Sequence, residues 1–138
     1  MNQDYKEYGG RFFDIDGTNK KSIKVDETTA IFITYGQSNS ANHGLVSINN
    51  YPNVYQFFFG DVYEYKNPSL GTTGLRDSVW GLVGNKLVAQ NIFSQVIFAN
   101  TAWGGRSIND LKGGHYLDYL IDTYNELSNH FDKVDGIL

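Results

Sequence analysis

Ser38 has the sequence setting that is most suggestive of chemistry in this chain. It lies in Gly36-Gln37-Ser38-Asn39, directly after the apolar run Ala30–Tyr35. Such a run is typical of a strand that is covered on both faces in a parallel sheet. A tight strand-to-helix turn behind it exposes a serine hydroxyl and directs the serine's own N–H and a helix N-terminus at one point. The pattern therefore predicts a nucleophile beside anion-stabilising groups.

A second polar loop contains adjacent glycines. Asn100–Ser107 follows Ser94–Ala99, a second segment that is typical of a buried strand, and includes Gly104-Gly105. Adjacent glycines let backbone N–H groups face a bound oxyanion, because no Cβ obstructs the approach. Ligands of open α/β sheets bind outside the carboxyl ends of the strands. We therefore expect the two loops together to supply a nucleophile and part of an oxyanion hole.

Two other functions are compatible with these loops. A serine that follows a strand is often only a helix cap, so Ser38 as a cap in a general ligand-binding domain stays open. Glycine-rich loops also bind nucleotides. The sequence, however, contains neither a G-x-x-x-x-G-K-[ST] phosphate loop nor a G-x-G-x-x-G dinucleotide pattern.

The elements that must position these loops follow an alternating pattern of strands and helices. We expect parallel strands near 31–35, 96–99 and 134–138, with helices over 78–91, 108–111 and 116–131. Ser78 is the expected cap of the first helix. Strands that alternate with helices predict an α/β fold with a parallel sheet.

Two further segments are predicted as hairpins or extensions. Residues 1–28 are expected to form an N-terminal extension with a hairpin around Asp16–Asn19, and residues 29–138 the main domain. The aromatic runs between Val54 and Lys66 predict either a second hairpin or an extended excursion. Asp14 and Asp16 do not match a calcium-binding loop, because Gly and Glu are missing from its sixth and twelfth positions.

Composition excludes several classes of function. The 138 residues suit one domain, and 11 Lys+Arg against 15 Asp+Glu give a net charge of −4, which argues against nucleic acid as a partner. The absence of cysteine excludes disulfides and thiolate metal sites. No run approaches the ~18 apolar residues of a membrane-spanning helix. Met1–Gly10 does not resemble a signal peptide, so the chain reads as unexported, although a recloned secreted domain has the same appearance and its localisation stays open.

Three blocks of the sequence resemble a known family. The stretch 33–44 resembles the first block of SGNH/GDSL-type hydrolases, and its Gly-Gln-Ser-Asn is similar to the branch of sialate O-acetylesterase-like carbohydrate esterases. Ser78–Gly81 with Leu87 resembles the helix of that branch. Ala102–Ile108 resembles its oxyanion block. The resemblance extends from Thr29 to the end of the chain.

The resemblance implies a three-layer, flavodoxin-like fold in which the first strand lies between the other two. It implies that Ser38 attacks an ester, typically an acetyl group on a sugar hydroxyl, as in sialic acid or a polysaccharide. The N–H groups of Ser38 and of Gly105 or Gly104 are the implied oxyanion donors. No metal and no cofactor are implied.

Other residues near these loops are candidates for substrate binding. They are Gln37, Asn39, His43 and Arg106. Arg106 suits a substrate carboxylate or, equally, a structural salt bridge. His115 is a second candidate near the pocket mouth, whereas His130, Trp80 and Trp103 are expected in structural roles, and Asp110 as a helix cap.

Two blocks of the family are not found in this sequence. Members continue into a Trp-His-Gln-Gly-Glu block, whose Gln completes the oxyanion hole, and later into an Asp-x-x-His block that supplies the general base. We therefore expect this chain to be the N-terminal part of an esterase domain, C-terminally incomplete and inactive alone. The alternative is a non-catalytic remnant that binds carbohydrate or a partner chain. In both cases we expect the chain to self-associate or to pair with a missing C-terminal half.

Overall fold

The computed structural model describes residues 11–46 and 48–138. These residues form an α/β fold with one mixed sheet and helices on its faces. Six strands make up the sheet: β1 Lys20–Lys21, β2 Thr29–Thr34, β3 Val54–Phe58, β4 Asp61–Glu64, β5 Gln95–Asn100 and β6 Gly136–Ile137. Their order is β1-β4-β3-β5-β2-β6. The strands β3, β5, β2 and β6 run parallel to one another, while β4 and β1 add an antiparallel edge. The expected placement of the first buried strand between the other two is confirmed.

Residues of β2 alternate between two buried clusters on opposite faces of the sheet. Ile31 and Ile33 pack with Leu120 and Leu127, whereas Ala30 and Phe32 face the other cluster. This period of two is what a strand imposes on its side chains. The sheet is thus covered on both faces, and the burial of both sets explains why residues 30–33 are all apolar.

Three helices connect the strands: α1 Trp80–Ala89, α2 Ile108–Leu111 and α3 Gly114–Phe131. Helix α1 covers one face through Val83, Leu87 and Val88, and α3 covers the other. Val79 precedes α1 with helical backbone angles and no side-chain cap, and Ser78 Oγ accepts the Trp80 N–H at 3.4 Å, so Ser78 caps the first turn as expected, from one residue before the assigned N-cap position. The Asp110 prediction is confirmed, since Ser107 and Asp110 form a reciprocal capping box at the start of α2.

The aromatic segment after Tyr51 is the hairpin β3–β4. Its turn is formed by Phe59 and Gly60, both with positive φ, 46° and 83°, as hairpin turns of this length require. The sequence did not predict that β3 also pairs in parallel with β5. The hairpin therefore extends the main sheet instead of standing outside it.

The hairpin expected around Asp16–Asn19 is wrong. Thr18 N–H donates to the Ile15 carbonyl at 3.0 Å and closes a turn. The arms do not pair with each other: Arg11 forms a bridge with Thr73, and β1 pairs with β4. The backbone groups on each side of the turn therefore bond to a distant segment. For β1 that segment is β4, which as an edge strand offers a row of unpaired N–H and C=O groups. Residues from 11 onward thus pack into the same unit as residues 29–138.

None of the helices formed by the described residues combines the length and the apolarity that crossing a membrane requires.

Strand β6 leaves an open edge at one side of the sheet. Among the described residues it pairs only with β2, and Ile137 and Leu138 are 54% and 46% exposed. Open edges with apolar side chains recruit other chains. We expect the 138-residue chain to self-associate at micromolar concentration, and Ile137→Lys to shift it toward monomer in sedimentation velocity. Ile108→Lys, which changes an exposed isoleucine away from the edge, should leave the association unchanged. A parent chain that sediments as a monomer would contradict this expectation.

Candidate active site

The two glycine-bearing loops lie side by side because their strands are neighbours. Strands β2 and β5 are parallel and in register up to Thr34 and Asn100. Two hydrogen bonds continue the pairing into the loops: Thr101 N–H donates to Thr34 C=O and Trp103 N–H to Gly36 C=O, each at 2.9 Å. The carboxyl ends of the strands therefore bring the Ser38 loop and the Gly104-Gly105 loop together.

The turn after β2 is tighter and shorter than expected. Gly36 has a φ of 144°, a conformation that side chains rarely adopt. One turn of 3-10 helix follows over Ser38–Ser40, closed by Ser40 N–H to Gln37 C=O at 2.9 Å and Ala41 N–H to Ser38 C=O at 3.1 Å. No α-helix begins here. The expected contribution of a helix N-terminus is therefore wrong, because a single turn has no appreciable macrodipole.

The Ser38 hydroxyl is available for chemistry. The residue is half-buried, and no hydrogen bond joins its hydroxyl to any other group in residues 11–46 and 48–138. Gln37 occupies the cap position of the short turn, and no side chain caps it. The interpretation of Ser38 as a helix cap therefore finds no support in this geometry.

The Ser38 turn is held from behind by two side chains. The Ser40 carbonyl accepts hydrogen bonds from Asn100 Nδ2 at 3.1 Å and from the Trp80 indole N–H at 3.0 Å. The Trp80 ring packs on Phe98 with a centroid distance of 5.8 Å. Trp80 thus has the structural role that the sequence predicted, and it also fixes the turn that contains Ser38.

The geometry of the glycine loop distinguishes its two candidate donors. The Gly104 N–H donates to Thr73 Oγ1 at 2.6 Å and is therefore already occupied. Gly105 is exposed, with a φ of 69°, and its N–H finds no acceptor among the described residues. Of the two glycines, Gly105 alone therefore has an N–H without an acceptor among the described residues.

His43 lies against the glycine loop. Its Nε2 is 3.4 Å from Thr73 Oγ1, and a Cβ added to Gly104 would stand 2.6 Å from the same nitrogen. The ring is exposed to solvent. His43 thus borders the loop, as expected of a lining residue, while no hydrogen bond connects it to Ser38.

The remaining predicted binding residues form an exposed rim. Gln37, Asn39 and Arg106 are exposed. The Arg106 guanidinium lies 5.4 Å from the centroid of the Tyr116 ring, a cation–π contact. It forms no salt bridge with a described carboxylate, although its charge is a secondary cause, after the Ser107 hydrogen bonds, of the lowered pKa of Asp110.

Trp103 forms the buried support of the glycine loop. It is 1% exposed, and its ring meets the Arg11 guanidinium at 4.7 Å and the Tyr116 ring at 4.9 Å. His115 packs edge-on against it at 5.7 Å. Beside this cluster the Tyr35 hydroxyl donates to the Leu111 carbonyl at 2.5 Å, and burial raises the pKa of Tyr35 to about 12. The core role predicted for Trp103 is confirmed.

Asn42 and Thr73 belong to the site but have no signal in the sequence analysis. Asn42 is fully buried and exchanges hydrogen bonds with Ser69: Nδ2 donates to the Ser69 carbonyl at 2.7 Å, and the Ser69 N–H donates to Oδ1 at 2.8 Å. Its backbone N–H also donates to the Thr73 carbonyl at 2.9 Å. Asn42 therefore connects the segment 69–76 to the Ser38 loop through these hydrogen bonds. The one available signal was the density of Gly, Ser and Thr in that segment.

The described part of the chain contains no group of three or more His, Asp or Glu side chains that is suited to a metal ion. His130 lies at the exposed C-terminal end of α3, against Phe57 and Phe131, away from the loops. No family model and no curated protein matches the sequence.

Proposed function

We propose that this chain carries the nucleophile and part of the oxyanion hole of a serine esterase that removes O-acetyl groups from carbohydrate. One observation carries the proposal: a half-buried serine follows β2, next to a glycine loop, and neither its hydroxyl nor the Gly105 N–H is hydrogen-bonded within the described residues. A strand-end serine beside backbone donors is the arrangement that acyl transfer needs.

The proposed reaction has two steps. Ser38 Oγ attacks the acetyl carbonyl carbon while its proton passes to a base, and the ester C–O bond breaks. The sugar oxygen leaves with a proton, and the acetyl group stays on Ser38. Water then attacks this acyl-serine, releasing acetate and restoring the hydroxyl. No redox partner is needed.

Two backbone donors are proposed for the tetrahedral oxyanion. The N–H groups of Ser38 and Gly105 have no acceptor among the described residues and belong to adjacent loops. Fixed donors of this kind stabilise charge that develops in the transition state without reorganising. The adjacent rim of Gln37, Asn39 and Arg106 offers amides and a guanidinium, which suit the hydroxyl and carboxylate groups of a sugar.

The sheet order is compatible with the SGNH, flavodoxin-like assignment. Apart from β3, which adds a further parallel strand outside β5, the strands β5, β2 and β6 stand in the order second, first, third along the chain, as at the start of a 2-1-3-4-5 sheet. The chain reverses its direction of travel across the sheet beside β2, and ligands of such sheets bind at this switch point. Ser38 follows β2 directly.

One observation favours a second function, carbohydrate binding without catalysis. No imidazole or carboxylate hydrogen-bonds Ser38 within the described residues, and serine without a base is a weak nucleophile near neutral pH. In that case the exposed rim would still hold a sugar. Binding that persists in Ser38→Ala, with no acyl transfer in the parent chain, would identify this second function.

The esterase proposal is tested by locating the acyl group. The 138-residue chain is reacted with p-nitrophenyl acetate, and peptides are mapped by mass spectrometry. We expect acetyl on Ser38 and none at this position in Ser38→Ala. Acetylation restricted to surface lysines would contradict the proposal.

A further inference from the structure

We propose that Thr73 is a positioning residue, which orients the Gly104-Gly105 loop by accepting a hydrogen bond from the Gly104 N–H. The proposal rests on the esterase function, but its central contact can be measured without any activity. Thr73 is 5% exposed, and its Oγ1 accepts the Gly104 N–H at 2.6 Å. No other hydrogen bond to Gly104 is made by the described residues.

Glycine pairs need such a restraint. Gly104 and Gly105 have no Cβ, so their backbone angles are the least restricted in the chain. Holding the Gly104 N–H fixes the peptide plane that precedes Gly104. The direction of the Gly105 N–H then depends only on the two backbone angles of Gly104. Thr73 thereby aims the donor that the reaction uses, although it does not touch the reacting atoms.

Thr73 itself stands on a fixed support. Its carbonyl accepts the Asn42 N–H at 2.9 Å. The residues before it pair with the N-terminal segment: Phe12 N–H donates to the Thr72 carbonyl at 2.7 Å, and Gly71 N–H to the Phe12 carbonyl at 2.8 Å. The position of the hydroxyl is therefore set by hydrogen bonds to two other parts of the chain.

His43 completes the contact from the solvent side. Because the Gly104 N–H already donates to Thr73 Oγ1, the hydroxyl proton of Thr73 is free to point at His43 Nε2, 3.4 Å away. The ring then covers Gly104, where an added Cβ would stand only 2.6 Å from Nε2. Gly104 thus lies between Thr73 and His43, and a side chain at this position would have to displace the His43 ring.

The contact is tested by amide hydrogen exchange of Gly104 in the 138-residue chain. Thr73→Val removes the hydroxyl at almost constant shape, and Thr73→Ser keeps it. Thr72→Val is the matched control, because Thr72 is a buried neighbour whose hydroxyl donates to the Ala102 carbonyl at 2.8 Å and does not touch Gly104. We expect about tenfold faster Gly104 exchange in Thr73→Val, the equivalent of one lost hydrogen bond, and parent-like exchange in the other two.

The second readout is the rate at which Ser38 is acetylated by p-nitrophenyl acetate in a single turnover. A misplaced donor costs on the order of 10²-fold, so Thr73→Val should lower the maximal rate by about that factor with little change in the half-saturating concentration. Thr73→Ser should restore it. Equal rates or equal Gly104 exchange in Thr73→Val and Thr72→Val would overturn the proposal. If Ser38 is not acetylated in the parent, the esterase function fails, and the exchange measurement alone decides whether Thr73 holds Gly104.

Discussion

Turnover of an aryl acetate by the 138-residue chain is expected to be slow, and Ser38→Ala is expected to lose the part that depends on the site. The Ser38 hydroxyl has no imidazole or carboxylate partner in the described residues, so nothing there removes its proton. Enzymes that lack a triad member retain roughly 10³–10⁴-fold catalysis over water from the oxyanion hole and binding. This range is an upper bound here, because only two backbone donors are proposed and the Gln that completes the oxyanion hole in the resembled family is not found in this sequence. Release of p-nitrophenol, followed by absorbance, measures it.

The matched control is Ser22→Ala, which changes an exposed serine next to β1, far from the loops. It should turn over substrate like the parent chain. Fast turnover that Ser38→Ala removes would show that a base is already present. His43, against the glycine loop, and His115, beside Trp103, would then be replaced by alanine in turn. The variant that loses activity would identify that base.

The parallel core of the fold could be predicted because its signals are local. Residues 30–33 form an unbroken apolar run, and Leu117, Leu120 and Leu127 recur at helical spacing in α3. The pairing of β3 with β5 and the separation of the two arms around Asp16–Asn19 could not be predicted in this way. Both depend on which distant edge offers a longer partner, a choice that period and turn residues do not encode.

The candidate site divides along the same line. Ser38 and Gly105 follow buried strands, so position alone indicated them. Thr73 acts through a hydrogen bond to Gly104, 31 residues away, and Asn42 through two hydrogen bonds to Ser69, 27 residues away. A hydroxyl or an amide in a loop has many possible partners, and only the folded chain selects one. The sequence likewise could not show that the Gly104 N–H is hydrogen-bonded, because its acceptor is the distant Thr73 hydroxyl.

Asn42→Ala is expected to lower the free energy of unfolding by about 3 kcal/mol. The substitution leaves the N–H and C=O of Ser69, which is 1% exposed, without their partners at 2.8 and 2.7 Å. Each unsatisfied buried group costs about 1–3 kcal/mol. A weaker bond from Nδ2 to the Gly74 carbonyl, 3.4 Å, is lost as well. Urea denaturation of the parent and the variant measures the difference.

Asn39→Ala is the matched control for this loss. Asn39 is exposed and makes no side-chain hydrogen bond with the described residues, so its replacement should change stability by less than about 0.5 kcal/mol. Asn42→Asp keeps an oxygen for the Ser69 N–H but turns the Nδ2 donor into a second acceptor facing the Ser69 carbonyl, so it should also destabilise the chain. Because segment 69–76 carries Thr73, faster exchange of the Gly104 amide should accompany both Asn42 variants. If Asn42→Ala were as stable as Asn39→Ala, the contact between Asn42 and Ser69 would not be holding segment 69–76 against the Ser38 loop.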